Sequence, residues 1–239
     1  MAGGLGTRMK SATPKHLHPL LGRRMVDWVL ASAQPVGADP VVVVCSPQTE
    51  EAMKALLDGA VTLAVQQEAR GTGDAVASAR AALDGFDGDV LVLSGDTPML
   101  RAELLADLVE AHRAGDAAAT ILAIEPEDEK PYGRIVRNPD GSVRQIVEDL
   151  DATDEQRAIR ELNSSIYVFR ARDLWPAIER LDAHNAQGEL YLTDAIEHLV
   201  DAGLRVGVHI APDPNDAEAA RTRVQRLGTT WLTVPAWYG

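Results

Sequence analysis

Three short segments of this 239-residue chain combine residue types that suit phosphate chemistry. The first is the glycine-rich start, residues 3–8, where glycine lets the backbone point several N–H groups at phosphate oxygens. Arg8 ends this segment and Lys15 follows, which supplies two cations that can clamp phosphates. Met9 takes the place of the last glycine of a dinucleotide fingerprint, and no Walker A lysine follows. The segment therefore predicts a phosphate-binding loop, with a flexible N-terminal tail as the alternative.

The second segment places a carboxylate directly after an apolar run, at Asp96. In open α/β sheets, ligands bind at the carboxyl ends of strands, and Mg²⁺ prefers oxygen ligands beside phosphates. Asp96 is therefore a candidate magnesium ligand. A helix N-cap is the alternative role for this residue.

The third segment, residues 66–73, leaves an apolar run through Gln66 and enters a helical pattern through Gly71 and Thr72. An amide side chain together with loop N–H groups can read the edge of a planar base. The segment predicts a nucleobase contact, and an ordinary connection between a strand and a helix is the alternative.

Charge limits the partners that such sites can have. The chain carries 23 basic and 36 acidic residues, a net charge of -13, which argues against a nucleic-acid or anionic-membrane surface. No acidic residue precedes Asp27, so the basic residues before it are uncompensated in sequence. They could bind a small polyanion, or form a solvated face that pairs with acidic helices; composition leaves both open. These residues are Arg8, Lys10, Lys15, Arg23 and Arg24.

The elements that must position these residues alternate along the chain. Residues 41–44, 61–65 and 90–93 are apolar and predict buried strands, while residues 49–57, 73–83 and 101–114 have helical spacing. A hairpin is indicated over 133–147, followed by a strand at 165–169, a helix at 190–202 and a strand at 206–210. We therefore expect a Rossmann-like three-layer α/β/α sandwich, with a mixed, mostly parallel sheet and a β-hairpin insertion.

Two further features bear on location and reactivity. No apolar run reaches the length of a membrane span and the start has no hydrophobic signal-peptide core, so we expect a cytoplasmic protein. The single cysteine, Cys45, stands in an apolar run and is predicted to be a buried, unreactive thiol.

Several motifs together resemble those of the sugar-phosphate nucleotidyltransferases. The glycine loop with Arg8, and the stretch 14–20 after it, are similar to the family signature. Within the family, the chain resembles the uridyltransferase half of the bifunctional bacterial UDP-N-acetylglucosamine pyrophosphorylase and glucosamine-1-phosphate acetyltransferase. The resemblance covers roughly residues 2–200. Further matching stretches are 71–73, 94–98, 132–135, 146–148, 151–157, 161–163 and 185–194.

The resemblance implies a nucleotide-diphospho-sugar transferase fold and a reaction of UTP with N-acetylglucosamine 1-phosphate. The products would be UDP-N-acetylglucosamine and pyrophosphate, with Mg²⁺ held by Asp96. By position, Arg8 and Lys15 would act on the phosphoryl groups together with Asp96. His16 and His18 would be structural. The resemblance assigns the uridine nucleotide to Ala2, Gly3, Gly4, Gln66, Gly71 and Thr72, and the sugar to Gly133, Glu148 and Asn163.

Some positions depart from the family pattern. Only Met1 precedes the glycine loop, where the family has a hydrophobic strand, so we expect a first strand to be missing. Arg221 and Thr222 stand where a metal-binding Asn pair is usual, and Ser165 replaces a common glycine beside the sugar. Residues 1–227 would form the nucleotidyltransferase domain, and 228–239 a truncated lead toward an absent left-handed β-helix.

Two alternatives follow from these departures and from the breadth of the signature. A degenerate sugar-nucleotide-binding module would retain binding without turnover. A hexose-1-phosphate thymidylyltransferase or guanylyltransferase would use another nucleotide. The sequence leaves the oligomeric state open.

Overall fold

A mixed sheet with helices on both faces forms the centre of the protein. The structure, a computed structural model, describes Met1 and residues 15–57, 59, 61–128 and 130–217. Its strands are β1 (Pro19–Leu20), β2 (Arg23–Arg24), β3 (Val42–Cys45), β4 (Thr62–Val65), β5 (Asp89–Val92), β6 (Ala119–Ile124), β7 (Arg134–Arg137), β8 (Val143–Val147), β9 (Leu162–Arg170) and β10 (Val206–Ile210). Its α-helices are α1 (Met25–Ala33), α2 (Pro47–Leu56), α3 (Thr72–Ser78), α4 (Ala102–Gly115), α5 (Asp154–Arg157), α6 (Ala171–Ile178) and α7 (Asp194–Asp201).

The long strand β9 organises the larger sheet. Its neighbour on one side is β6, which pairs in parallel with β10; on the other side it pairs with β5 at one end and β7 at the other. Because β5, β6 and β7 all run antiparallel to β9, they share one direction with β10. The strands β3 and β4 form a separate parallel pair. The expected α/β class, with a mixed sheet and a hairpin of β7 and β8, is confirmed.

Apolar side chains alternate between the two faces of the sheet, as strand geometry requires. In and just after β5, Val90 and Val92 pack in a cluster with α6 and α7, whereas Leu91 and Leu93 pack in a cluster with α4. The buried stripe of α4 is the predicted one: Leu104, Leu105, Leu108, Val109 and His112. Cys45 is fully buried, and burial raises the pKa of its thiol, as predicted.

Three predicted boundaries were wrong for identifiable reasons. The helix predicted over 190–202 begins only at Asp194, because the Leu190 carbonyl, which would accept from residue 194 in a helix, accepts from Gly73 N–H instead. The helix predicted over 73–83 ends at Ser78, and Arg80–Leu83 continues as a 3₁₀ turn. The strand predicted over 165–169 begins earlier, at Leu162, across an irregularity in its pairing with β6.

Several predicted features lie outside the described residues. They are the glycine loop with Ala2, Gly3, Gly4 and Arg8, the positions 221 and 222, and the segment 228–239. Lys15 begins a 3₁₀ turn, Lys15–Leu17, but its side chain is not among the described groups. None of the helices in the described ranges is both long and apolar enough to cross a membrane.

Candidate active site

The loop that follows β4, which we call the Gln66 loop (residues 66–74), is held by its own side chains. The buried Gln66 donates from Nε2 to Asp74 (2.9 Å) and to the carbonyl of Gly71 (3.1 Å). Arg70 also binds Asp74, at 2.7 Å. Both protons of the Gln66 amide are thus used inside the loop, and no hydrogen bond among the described residues involves its Oε1. The loop therefore presents a fixed amide acceptor.

Gly71 is required by the backbone of this loop. Its φ of +117° lies in a region that favours glycine, and an added Cβ would stand 2.5 Å from the carbonyl oxygen of Leu190. That contact is shorter than any carbon side chain tolerates. The Gln66 loop is consequently packed directly against the chain segment before α7.

A second group, which we call the Glu148 cluster (Gly133, Glu148, Asn163, Tyr167 and Thr193), gathers around the hairpin and β9. A Cβ on Gly133 would lie 3.5 Å from Glu148 Oε2 and 3.6 Å from Asn163 Cβ, so the three residues predicted for the sugar are adjacent. Thr193 donates to Glu148 at 3.1 Å, and Asn163 donates to the Tyr167 hydroxyl at 2.7 Å. The three residues that the resemblance assigns to the sugar therefore lie next to one another.

Electrostatics make this cluster unusual. Removal from water raises the pKa of Glu148; the Thr193 hydrogen bond opposes this, and the nearby Asp194, Asp151 and Asp149 add to the rise. Burial also raises the pKa of Asp194, to about 6. A region that keeps several carboxylates close together favours a ligand rich in hydroxyl and amide donors.

The backbone of β9 is irregular where it meets the cluster. Between the pairs Ile121–Tyr167 and Ala123–Asn163 the register shifts, and Ser164 donates to the Leu122 carbonyl at 2.7 Å. Ser165 has a φ of 62°, in the left-handed region. The position thus has a backbone suited to the glycine that the family pattern favours there.

The segment 190–193 joins the two groups. Leu190 donates to the Arg70 carbonyl (2.7 Å), Gly73 donates to the Leu190 carbonyl (2.8 Å), and Leu192 donates to Thr72 Oγ1 (2.9 Å). The next residue is Thr193, which binds Glu148. A direct hydrogen-bonded path therefore runs from the predicted nucleotide loop to the predicted sugar cluster.

Asp96 lies in a turn four residues beyond the end of β5, and no helix begins there, so the N-cap alternative is wrong. Its side chain is partly exposed, and the hydroxyl of Ser94 donates to Asp96 Oδ1. Close packing surrounds the turn, since a Cβ on Gly95 would meet His16 at 2.7 Å and the Met1 carbonyl at 2.8 Å. The buried His16 is a packing residue of this turn.

Two arginines of the basic segment have structural partners. Arg24 binds Asp27 through two nitrogens, at 2.6 and 2.9 Å, and Arg23 lies over the Trp28 ring at 5.2 Å. For Arg24 the ion-paired interpretation is therefore correct, although its partner is on the adjacent helix and not on a distant one.

Comparison with known proteins shows the family to which this chain belongs. The family model described as "MobA-like NTP transferase domain" matches residues 1–202. The chain belongs to this NTP transferase family. Proteins named "Bifunctional protein GlmU" are 45% identical in Corynebacterium aurimucosum, over 231 residues, and 45% identical in Geobacter sulfurreducens, over 226 residues. In Thermobifida fusca the identity is 45% over 232 residues.

Each of these matches covers 94% of this chain and 47% to 48% of the relative. The chain thus spans about half the length of the curated relatives it matches, and the matched half is their N-terminal one. The resemblance to that half of the bifunctional family is confirmed.

Sequence reasoning gave no role to several residues of this NTP transferase site. Thr193 and Asp194 lie in a quoted motif, but their contact with the Glu148 cluster depends on the non-helical path of residues 190–193. Tyr191 is buried and burial raises its pKa to about 12, while its hydroxyl has no hydrogen-bond partner among the described residues. The sequence around Tyr191 contains no pattern that indicates this placement.

Proposed function

We propose that this NTP transferase transfers UMP from UTP to N-acetylglucosamine 1-phosphate, releasing pyrophosphate. The observation that carries the proposal is the hydrogen-bonded path from Thr72 through residues 190–193 to Glu148. Leu192 bonds to Thr72 in the loop suited to a base, and the next residue, Thr193, bonds to Glu148 in the cluster suited to a hydroxyl-rich ligand. A nucleotidyltransferase needs these two neighbours, because both substrates must meet at one phosphorus atom.

The reaction needs no nucleophile from the protein. An oxygen of the sugar 1-phosphate attacks the α-phosphorus of UTP, a new P–O bond forms, and the bond to the bridging oxygen breaks. Pyrophosphate leaves with the electron pair. The protein therefore contributes positioning and charge stabilisation.

Each substrate group has a proposed partner. Gln66 Oε1 would accept a hydrogen bond from N3–H of uracil, while Gly71 and Thr72 hold the nucleoside. Glu148 and Asn163, beside Gly133, would bind sugar hydroxyl and amide groups. On the phosphates, the glycine loop with Ala2, Gly3 and Gly4 would supply N–H donors, and Arg8 and Lys15 would offset the charge on the departing pyrophosphate.

Asp96 fits a role as a magnesium ligand. It is a partly exposed carboxylate after a strand end, oriented by the hydroxyl of Ser94. Within the described ranges no group of three or more His, Cys, Asp or Glu side chains could hold a metal ion. A single carboxylate suits Mg²⁺ nonetheless, since this ion keeps several waters and takes further ligands from phosphates. When bound, Mg²⁺ would neutralise phosphate charge during transfer.

The test is pyrophosphate release from each NTP with N-acetylglucosamine 1-phosphate, with and without Mg²⁺. We expect turnover with UTP that stops in excess chelator. Asp96→Asn should lower kcat by about 100-fold or more, by analogy with other charge-stabilising groups. The exposed Asp87→Asn, which lies before β5, is the matched control and should leave kcat unchanged.

The other outcomes separate the alternatives. Preference for dTTP or GTP would assign the protein to another nucleotidyltransferase. Calorimetric binding of UTP without pyrophosphate release from any NTP would identify a binding module and overturn the proposed activity. Equal kcat for Asp96→Asn and Asp87→Asn would remove Asp96 from the metal site.

A further inference from the structure

The orientation of the Gln66 amide is decided by the two groups on one side of it. Gln66 Nε2 donates to Asp74 Oδ2 at 2.9 Å and to the Gly71 carbonyl at 3.1 Å. An ionised carboxylate and a backbone carbonyl only accept hydrogen bonds, so neither can bind the amide oxygen. The amide nitrogen therefore faces these two groups, and Oε1 faces away from them.

Both of these acceptors are held in place. Asp74 lies in the first turn of α3, where negative charge is favourable, and its Oδ1 accepts from Arg70 at 2.7 Å. The Gly71 carbonyl also accepts from the Ala75 N–H group at 3.2 Å. A 180° turn of the Gln66 amide would place Oε1 beside both acceptors and break both of its hydrogen bonds. Because one of these bonds is to a charged group, the turned orientation is disfavoured by roughly 100-fold.

A carboxylate at position 74 is not explained by packing. Asp74 is buried, and burying a carboxylate costs free energy that an exposed partner such as Arg70 offsets weakly. The Gly71 carbonyl alone would satisfy one proton of the Gln66 amide. Asp74 adds a second acceptor, which removes the choice between the two orientations of the amide.

The orientation of this amide distinguishes the two pyrimidine bases. N3 of uracil carries a hydrogen and donates, whereas N3 of cytosine carries none and accepts. An amide oxygen that faces N3 therefore binds uracil, and it leaves two acceptors opposed when the base is cytosine. An amide nitrogen in the same place has the reverse preference. Opposed polar groups that cannot pair discriminate strongly between ligands of the same shape.

We propose that Asp74 is a positioning residue that sets the preference of this site for uracil over cytosine. It acts through Gln66, by holding Oε1 toward the base. The inference rests on the function proposed above, because it takes Gln66 as the residue that contacts the base. It adds the residue that makes this contact selective for one pyrimidine.

The test replaces Asp74 by asparagine, which has nearly the same shape. Arg70 only donates, so it favours the asparagine oxygen on its own side and directs the new amide nitrogen toward Gln66. This nitrogen opposes Gln66 Nε2 and favours the turned orientation, while the Gly71 carbonyl still favours the original one. Both orientations of the Gln66 amide should then be populated, and Asp74→Asn should accept both pyrimidines.

Calorimetry with UTP and with CTP, in Mg²⁺ and without sugar phosphate, measures the preference as a ratio of two Kd values. We expect the intact protein to bind UTP at least about 10-fold more tightly than CTP, and Asp74→Asn to reduce this ratio below about 3-fold. Asp107→Asn removes the same charge from an exposed side chain on α4 and should leave the ratio unchanged. A general loss of packing would weaken the binding of both nucleotides alike, so the ratio isolates positioning.

The outcomes separate this inference from the proposed reaction. A preference for UTP that is equal in the intact protein and in Asp74→Asn would overturn the role of Asp74 and leave the proposed function intact. Equal binding of UTP and CTP by the intact protein would overturn both. The expected ratios without pyrophosphate release would support the role of Asp74 and overturn the reaction alone.

A measurement on the unchanged protein decides the question if Asp74→Asn does not fold. In assigned NMR spectra, the side-chain amide protons of Gln66 should exchange with solvent at least about 10-fold more slowly than those of the exposed Gln67, because both are bonded inside the loop. Equal exchange rates for these two side chains would mean that the Gln66 amide turns freely, and would overturn the proposal.

Discussion

Glu148 illustrates a conflict between stability and binding at a single residue. Its carboxylate has lost water and stands near three other carboxylates, so its charged form is disfavoured in the folded protein. An acid with a raised pKa destabilises the fold as pH rises from the unfolded pKa to the folded one. The residue is therefore better explained by what it binds than by what it stabilises.

Replacing this carboxylate should separate the two effects. We expect Glu148→Gln to raise Tm by a few degrees at pH 7, because it removes the disfavoured charge. It should also raise KM for the sugar phosphate by 10-fold or more, since a charged hydrogen-bond acceptor is lost. Thermal melts and steady-state kinetics measure the two changes. Glu110→Gln, on the exposed face of α4, should alter neither; an unchanged KM for Glu148→Gln would remove Glu148 from the sugar site.

Met1 gives a pH dependence of the opposite sign. The pKa of its ammonium group falls from 8.0 to about 6 on folding, so the unfolded chain binds more protons between these values. The free energy of unfolding should therefore rise as pH increases from 6 to 8, and be lost again on acidification. We expect about 1–2 kcal/mol, because each pKa unit is worth ~1.4 kcal/mol and Met1 is only partly buried.

The measurement compares free and acetylated amino termini, with Met1 verified by mass. Burial also lowers the pKa of His112, so this histidine contributes to the pH profile as well. The difference between the two forms isolates Met1, because the histidines are common to both. A difference that stays constant from pH 6 to 8 would contradict the prediction.

At the scale of the elements, the Gln66 loop packs closely against the segment before α7. Gly71 combines a positive φ with an approach to Leu190 that leaves no space for a side chain. Other glycines with positive φ, such as Gly85 (φ +74°), have nothing within 4 Å of an added Cβ. The two positions therefore separate backbone strain from steric contact.

Gly85→Ala should lower the free energy of unfolding by about 1 kcal/mol, the strain of an alanine in the left-handed region. Gly71→Ala should lower it by about 3 kcal/mol or more, because the new Cβ must also displace the Leu190 backbone. Chemical denaturation measures both values. Since the displaced segment leads to Thr193 and Glu148, Gly71→Ala should also raise KM for both substrates, whereas Gly85→Ala should not. Equal losses of unfolding free energy in the two variants would mean that the Gln66 loop shifts without penalty to make room for the Cβ.

Elements with a strong local pattern could be predicted from sequence. The apolar stripe of α4 and the β7–β8 hairpin have periodicities that their final environment only reinforces. The path of the segment 190–193 could not be predicted in this way, because its apolar spacing fits a helix. Its actual path depends on hydrogen bonds to residues more than 110 positions away in the sequence. The same holds for the candidate site: the motifs predicted Glu148 and Asn163, whereas the positions of Thr193 and Tyr191 depend on that tertiary path.

At the scale of the whole molecule, the strand pair β3–β4 is separate from the larger sheet that contains β5 and β9. An apolar cavity lies between β3 and β5, and residues of α1 and α3 line it. The Gln66 loop follows β4, and the Asp96 turn follows β5. The relative position of the Gln66 loop and the Asp96 turn therefore depends on how firmly the β3–β4 pair is held against the larger sheet.

The apolar cavity beside β3 and β5 has a volumetric consequence. Unfolding eliminates internal voids, so a protein with a large void loses volume when it unfolds and is destabilised by hydrostatic pressure. The cavity of about 400 Å³ beside β3 and β5 is lined mostly by apolar side chains and opens partly to solvent, so we expect a negative volume change within the usual range of roughly −20 to −100 mL/mol. High-pressure fluorescence of the four tryptophans can measure it. A volume change close to zero would mean that water already fills the cavity, and that compression removes no empty space when the protein unfolds.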